Sequence, residues 1–248
     1  MKYLNISIVM SCNYNCYYCP VQKWLMPINN LFSDKPPEKD YPINGTNCIN
    51  NDSLLKWLDK YIEPESHIIE ITGGEPGLYK EIDTLIPALN ERGYLGIIKT
   101  NGSLPIPKTD NFQRIATWHE GKNFPEYYDQ ILIIENQNDA YKQKIKYCEE
   151  NNILYHTCLF DEYYKTNITF DKSLCRETKF EAFTHVNNRG QITDCSSGII
   201  FEENNIFAMT PPIYRNLKSS CHLCSVLNMV DVFLPYSLQN KIESDYKG

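Results

Sequence analysis

No apolar run in these 248 residues approaches the roughly 20 that a bilayer span needs. The first apolar stretch, LNISIVM, is too short for the core of a secretory signal, and no small-residue cleavage site follows it. Basic charge is also in short supply. Against 31 Asp and Glu stand 24 Lys and Arg, a net charge of −7. That balance argues against nucleic acid or anionic membrane as an electrostatic partner. There is no internal repeat and no low-complexity tract. These absences leave a cytoplasmic protein without a membrane anchor as the expectation. Its 42% hydrophobic residues can bury a sizeable core, in one α/β barrel or in two smaller domains. What is plentiful is cysteine, ten in all. The cytosol keeps thiols reduced, so clustered cysteines there point to metal ligation before disulfides.

The apolar pattern predicts strands at 3–10, 67–72, 94–100, 114–118, 130–135 and 153–160. Helices are predicted from the cap Asn51-Asp52-Ser53 through Ile62, from after GGEPGLY to about Arg92 with Gly93 as stop, and over 140–151. Strand alternating with helix implies βαβ units and a parallel sheet. The segments LPIPKTDNF and EGKNFPEYYD, rich in Pro and polar residues, are too short for full helical crossovers. Any barrel is therefore abbreviated. Residues 21–50 carry Pro27, Pro36, Pro37, Pro42 and Gly45 and are expected to be irregular, a lid or side wall of a site or else a floppy insertion. After 165 the pattern changes. EAFTHV-NNRG-QITDC (181–195) predicts a hairpin turning at Gly190, and a short apolar strand pair is expected near 198–209. A final Cys-x2-Cys turn then leads into a helix.

The sharpest motif is SCNYNCYYCP. Cys12, Cys16 and Cys19 supply three thiolates in one loop directly after the first strand. Three suit a cubane cluster with one open iron, since a closed 4Fe–4S site takes four Cys. A structural zinc site would want four ligands. The spacing, with Tyr18 in the aromatic slot before the last cysteine, resembles the radical S-adenosylmethionine (SAM) superfamily. Gly73-Gly74-Glu75-Pro76 ends the second strand, about 55 residues later, and resembles the segment that holds the amino group of SAM in that family. Glycine lets backbone carbonyls approach a ligand, and Glu75 can offset an ammonium charge. The resemblance also implies SAM contacts at Thr100 or Asn101 in KTNG, and at His119 after the fourth strand. Each has a plainer reading, as a turn or a solvated loop histidine.

Cys175, Cys195, Cys221 and Cys224 form a second set, around the hairpin and before the last helix. They resemble the shortened auxiliary iron–sulfur module, called Twitch or SPASM-like, found after some radical SAM barrels. A structural zinc site of four cysteines is the alternative. Cys148 and Cys158 fit a buried core, and Cys48 lies in the lid segment. His67, His156, His185 and His222 show no partner pattern.

The expected fold is thus α/β, a partial TIM-like barrel over 1–165 followed by a β-hairpin plus helix auxiliary module over 166–248. The resemblance implies an enzyme that cleaves SAM to a 5′-deoxyadenosyl radical and removes a substrate hydrogen atom. Its cofactors would be a SAM-binding 4Fe–4S cluster, an auxiliary cluster and SAM. A closed auxiliary cluster suits electron acceptance, hence oxidation of a small polar substrate from alcohol to ketone, as in the small radical SAM dehydrogenases of aminoglycoside biosynthesis. A peptide maturase forming a thioether or carbon–carbon crosslink, or a radical epimerase, is the alternative. Partners would be a small molecule or peptide and an electron donor such as flavodoxin or ferredoxin.

Overall fold

In the computed structural model the described residues are 2–9, 11–14, 16, 49–135, 140–159, 182–193 and 204–214. Tyr18, Cys19, Cys48, Cys175, Cys195, Cys221, Cys224, His222, nearly all of the lid segment and the C-terminal helix lie outside them. The chain forms β1 (Lys2–Val9), α1 (Asn51–Tyr61), β2 (His67–Gly73), α2 (Ile82–Glu91), β3 (Leu95–Thr100), β4 (Phe112–Thr117) and β5 (Gln130–Glu135). It continues with α3 (Ala140–Glu150), β6 (Tyr155–Leu159), β7 (Ala182–Val186) and β8 (Ile192–Thr193). Each of the six strands predicted before residue 165 lies within two residues of an observed one. The α1 cap is corrected: Asn50, not Asn51, is the N-cap, and its side chain accepts the Ser53 N–H. Asn51 instead enters the first turn and ties it to α2, bonding the Thr84 hydroxyl at 2.7 Å and the Glu81 carbonyl at 3.0 Å.

The strands make one sheet in the order β6-β5-β4-β3-β2-β1-β7-β8. From β1 to β6 every pairing is parallel and each strand is laid beside its predecessor. Right-handed crossovers that always step in one direction put all their helices on one face. That is what is seen. Leu54, Trp57 and Leu58 of α1 and Leu85, Ile86 and Leu89 of α2 pack on Leu4, Ile6, Ile8, Ile69, Ile71 and Ile98. Cys148 of α3 is fully buried with Ala116, Ile131 and Ile133.

The abbreviated crossovers are confirmed: no helix lies between β3 and β4 or between β4 and β5. Arg114 fills part of that gap. Its guanidinium bonds the Ile106 carbonyl at 3.1 Å, the Tyr128 carbonyl at 3.2 Å and both carboxylate oxygens of Asp129 at 3.0 Å. Burial alone would raise the Asp129 pKa, but Arg114 holds it below the usual value.

The predicted hairpin is β7 and β8, with Gly190 at φ +76° in the turn. Its first strand pairs in parallel with β1, Asn5 opposite His185, so the hairpin extends the main sheet. The strand pair expected near 198–209 is corrected where the chain is described. Asn205 makes a single bridge to Gln191, and 206–209 is a turn.

Candidate functional site

Strand alternation gives the sheet a second face, and its chemistry is unlike the first. Asn5, Glu70, Lys99, Gln113, Gln130, His156 and His185 lie there, joined in two hydrogen-bonded chains. In one, His185 Nδ1 meets Asn5 Oδ1 at 2.6 Å, Asn5 donates to Glu70 at 2.6 Å, and the Lys99 ammonium pairs with Glu70 at 2.9 Å. Tyr3 also donates its hydroxyl to Glu70. In the other, Gln130 bridges Gln113 at 2.6 Å and His156 at 2.7 Å. Glu70 is 1% exposed and Asn5 2%. A parallel sheet in a packed core carries apolar runs on both faces. Here seven neighbouring strands each place a polar residue on one face, among buried Ile68, Ile97 and Ile115, which makes that face a candidate lining for a site.

The C-terminal ends of β1 to β4 meet at one rim. The described residues of the cysteine loop and the glycine motif gather there with Thr100, Asn101 and His119. Cys12 and Cys16 follow β1 and are half-buried. The main chain of the glycine motif closes on this loop: Gly74 N–H donates to the Val9 carbonyl at 2.6 Å, and Glu75 N–H to that of Ser11 at 2.8 Å. Gly73 has φ +141°, and a Cβ there would lie 1.9 Å from the Val9 oxygen. Only glycine fits that approach.

Glu75 is fully buried, and Pro76 is buried beside it. Its Oε1 accepts from Gly77 N–H at 2.9 Å and the Thr100 hydroxyl at 2.7 Å; its Oε2 accepts from Asn101 N–H at 2.7 Å. Burial pushes its pKa up, against these three donors. The carboxylate thus ties the end of β2 to the end of β3. Any offset to a ligand's ammonium reaches it from behind the half-exposed Gly73–Gly74 main chain.

Asn101 is 5% exposed and reaches into the cysteine loop. Its Nδ2 donates to Asn13 Oδ1 at 2.9 Å and approaches Cys12 Sγ at 3.8 Å. His119, just past β4, stands edge-on to Tyr14 of the cysteine loop, ring centroids 5.8 Å apart. Burial, then the nearby Lys144 and Lys122 ammonium groups, lower its pKa to about 4. His119 is therefore neutral at neutral pH.

Among the described residues no three cysteines, histidines or carboxylates gather as a metal site. The set Cys12 and Cys16 needs Cys19, which lies outside them. The two described thiols nevertheless fit a cluster ligand set. They stand four residues apart in a loop at a strand end, and Cys12 Sγ receives the Tyr14 N–H at 3.4 Å besides the Asn101 amide. Donors on sulfur are what an anionic cluster thiolate needs.

Asn13, Tyr14 and Ser103 stand beside this rim, and sequence reasoning did not single them out. Asn13 and Tyr14 lie inside the cysteine motif, and their only signal was that adjacency.

No protein-family model matches the chain. A 7-carboxy-7-deazaguanine synthase of Methanothermobacter thermautotrophicus is 35% identical over 105 residues, 42% of this chain and 34% of that one. A GTP 3',8-cyclase of Helicobacter pylori is 26% identical over 61% of this chain and 43% of its own length. The radical SAM cyclopropyl synthase TigE of Paramaledivibacter caminithermalis is 23% identical over 98% of this chain and 48% of its own. The chain thus spans less than half the length of each of these relatives. SuiB of Streptococcus suis, solved bound to S-adenosylmethionine, superposes with a TM-score of 0.44 at 13% identity, over 84% of this chain and 63% of that one. That likeness is too slight to bear on function. The sequence likenesses support the radical SAM superfamily.

Proposed function

We propose that this chain is a radical SAM enzyme that oxidises a small polar substrate, from alcohol to ketone, at the polar face of its sheet. The observation that supports this most is the convergence at one rim. The cysteine loop, the glycine motif and Asn101 come from three strand ends and are hydrogen-bonded to one another.

Cys12, Cys16 and Cys19 would hold a 4Fe–4S cluster, and Gly73, Gly74 and Pro76 would line the amino end of SAM. Together these cofactors supply the 5′-deoxyadenosyl radical when bound. The chain's own residues position and shield. Thr100 and Glu75 fix the rim. Tyr18, Asn101 and His119 stand in or beside the cysteine loop in sequence or space. The polar lining suits a substrate rich in hydroxyl or amine groups. Its alcohol carbon would lose one hydrogen atom to the radical, then one proton and one electron. Cys175, Cys195, Cys221 and Cys224 would hold the auxiliary cluster that takes that electron. A flavodoxin or ferredoxin would supply the electron that starts the reaction. We place the chain in the cytoplasm; among the described residues no helix is long and apolar enough to cross a membrane.

A second reading is carbon–carbon bond formation, in a small molecule or a ribosomally made peptide. One observation favours it: the relative that spans 98% of this chain is named a cyclopropyl synthase.

Anaerobic reconstitution tests the proposal. The wild type should hold about eight irons per chain, and the Cys12, Cys16 and Cys19 triple alanine variant about four. SAM should yield 5′-deoxyadenosine in the wild type alone. About four irons falling to none would remove the auxiliary electron acceptor and sink the oxidation reading.

A further inference from the structure

We propose that Asn101 is a positioning residue for the cluster: its side-chain amide donates a hydrogen bond to the Cys12 thiolate and raises the cluster's reduction potential. The proposal rests on the reading of Cys12, Cys16 and Cys19 as ligands.

The orientation of the amide follows from its neighbours. Oδ1 of Asn101 accepts the Ser103 N–H at 2.9 Å, and that main-chain group can only donate. It also takes the Ser103 hydroxyl at 2.6 Å. Flipping the amide would set NH2 against N–H. The Nδ2 end is therefore fixed toward the cysteine loop, where its two hydrogens have two acceptors, Asn13 Oδ1 and Cys12 Sγ. Asn13 in turn donates to the Ser103 hydroxyl at 2.8 Å. Asn13, Ser103 and Asn101 close a three-membered ring of side-chain bonds, and the amide has no freedom to turn from the sulfur. Its own main-chain N–H is anchored on buried Glu75. The glycine motif, β3 and the first cysteine are thus linked through one residue.

A cluster gains negative charge when it is reduced. A hydrogen bond to a ligand sulfur grows stronger with that charge and favours the reduced state. The Tyr14 N–H also points at Cys12 Sγ but belongs to the main chain, so Asn101 is the donor a substitution can remove.

The test is a reductive titration of the reconstituted first cluster, followed by electron paramagnetic resonance. Asn101→Asp keeps the shape and the acceptor for Ser103 while replacing the donor with an acceptor; Asn101→Ala removes it. At a fixed solution potential the reduced-to-oxidised ratio should fall roughly fivefold in Asn101→Ala, the size of one net hydrogen bond, and further in Asn101→Asp. Ser103→Ala breaks the ring but not the bond to sulfur, and should titrate like the wild type. Loss of the first cluster from both Asn101 variants, with Ser103→Ala loading fully, also supports the role. Wild-type titration in Asn101→Asp overturns it, and so does an equal shift in Ser103→Ala, which would mean loop packing alone. The signal assigned to the first cluster is the part that the wild type shows beyond the Cys12, Cys16 and Cys19 triple alanine variant, whose remaining signal belongs to the auxiliary cluster. If the triple variant loses no part of the signal, the ligand reading and this inference fall together; if it loses the first-cluster part while Asn101→Asp titrates normally, this inference alone falls.

Discussion

Gly73 and Gly93 both have positive φ, +141° and +79°, yet their surroundings differ. A Cβ on Gly93 meets nothing within 4 Å, while one on Gly73 meets the Val9 carbonyl. Gly93→Ala should therefore cost only the backbone strain, about 1–2 kcal/mol. Gly73→Ala must also push β1 from β2 at the rim and should cost well over about 3 kcal/mol. Urea unfolding midpoints of the two variants check this; similar midpoints would mean the rim is pliable. His119 gives a second test at this scale. Its pKa is lowered to about 4 in the folded chain, while an unfolded chain protonates it near the ordinary 6.5. Between those values the unfolded state binds more protons, so stability falls as pH falls from about 6.5 to about 4. His119→Asn should remove a contribution on the order of 2 kcal/mol from that slope, measured by unfolding at pH 7, 5.5 and 4. An unchanged slope would place the imidazole in solvent.

Helix α1 does more than cover the sheet. Trp57 donates its indole N–H to the Thr210 carbonyl at 2.7 Å, and Tyr61 its hydroxyl to the Met209 carbonyl at 2.5 Å. These bonds staple the turn at 206–209 to a helix 150 residues away in sequence. Trp57→Phe keeps the ring packing and leaves the Thr210 carbonyl without its indole donor, so it should cost about 1–2 kcal/mol. Amide exchange at Ile206 and Met209 should quicken more than exchange within α1; equal change would mean general loosening. The sequence could not show this staple, because nothing local marks Thr210 as a helix's partner. It did show α1 and α2, whose apolar residues recur at helical spacing. It also showed the hairpin, from Gly190 and the flanking alternation. The hairpin's parallel place beside β1 was hidden, since His185 and Asn5 meet across 180 residues. At the candidate site, cysteine spacing and GGEP named two loops that the fold brings together at one rim. Glu75 was legible as a motif residue but not as the buried tie between strands, a role that depends on Thr100 and Asn101 arriving from β3.

At the scale of the whole molecule, one-way winding puts the helices of the described residues on one face, and the sequence sets polar groups among Ile68, Ile97 and Ile115 on the other. The available signal was a charge inside each of two apolar strands, Glu70 in HIIEIT and Lys99 in GIIKT. Charges are rarely buried unless paired. Lys99 is 34% exposed and Glu70 only 1%, so the carboxylate depends on its partner more than the reverse. Lys99→Met should cost about 2–3 kcal/mol, below the range for fully buried pairs because water reaches the ammonium. Adding Glu70→Gln removes the stranded charge and should recover most of that loss. A cost under about 0.5 kcal/mol for Lys99→Met would mean the face is wet and its ion pair screened. The double variant then separates folding from function. With the rim intact, it should still form 5′-deoxyadenosine from SAM at the wild-type rate when no substrate is present. If the polar face is the substrate floor, its substrate KM should rise several-fold and product per 5′-deoxyadenosine should fall. Unchanged KM and coupling in a stable double variant would move the substrate off this face.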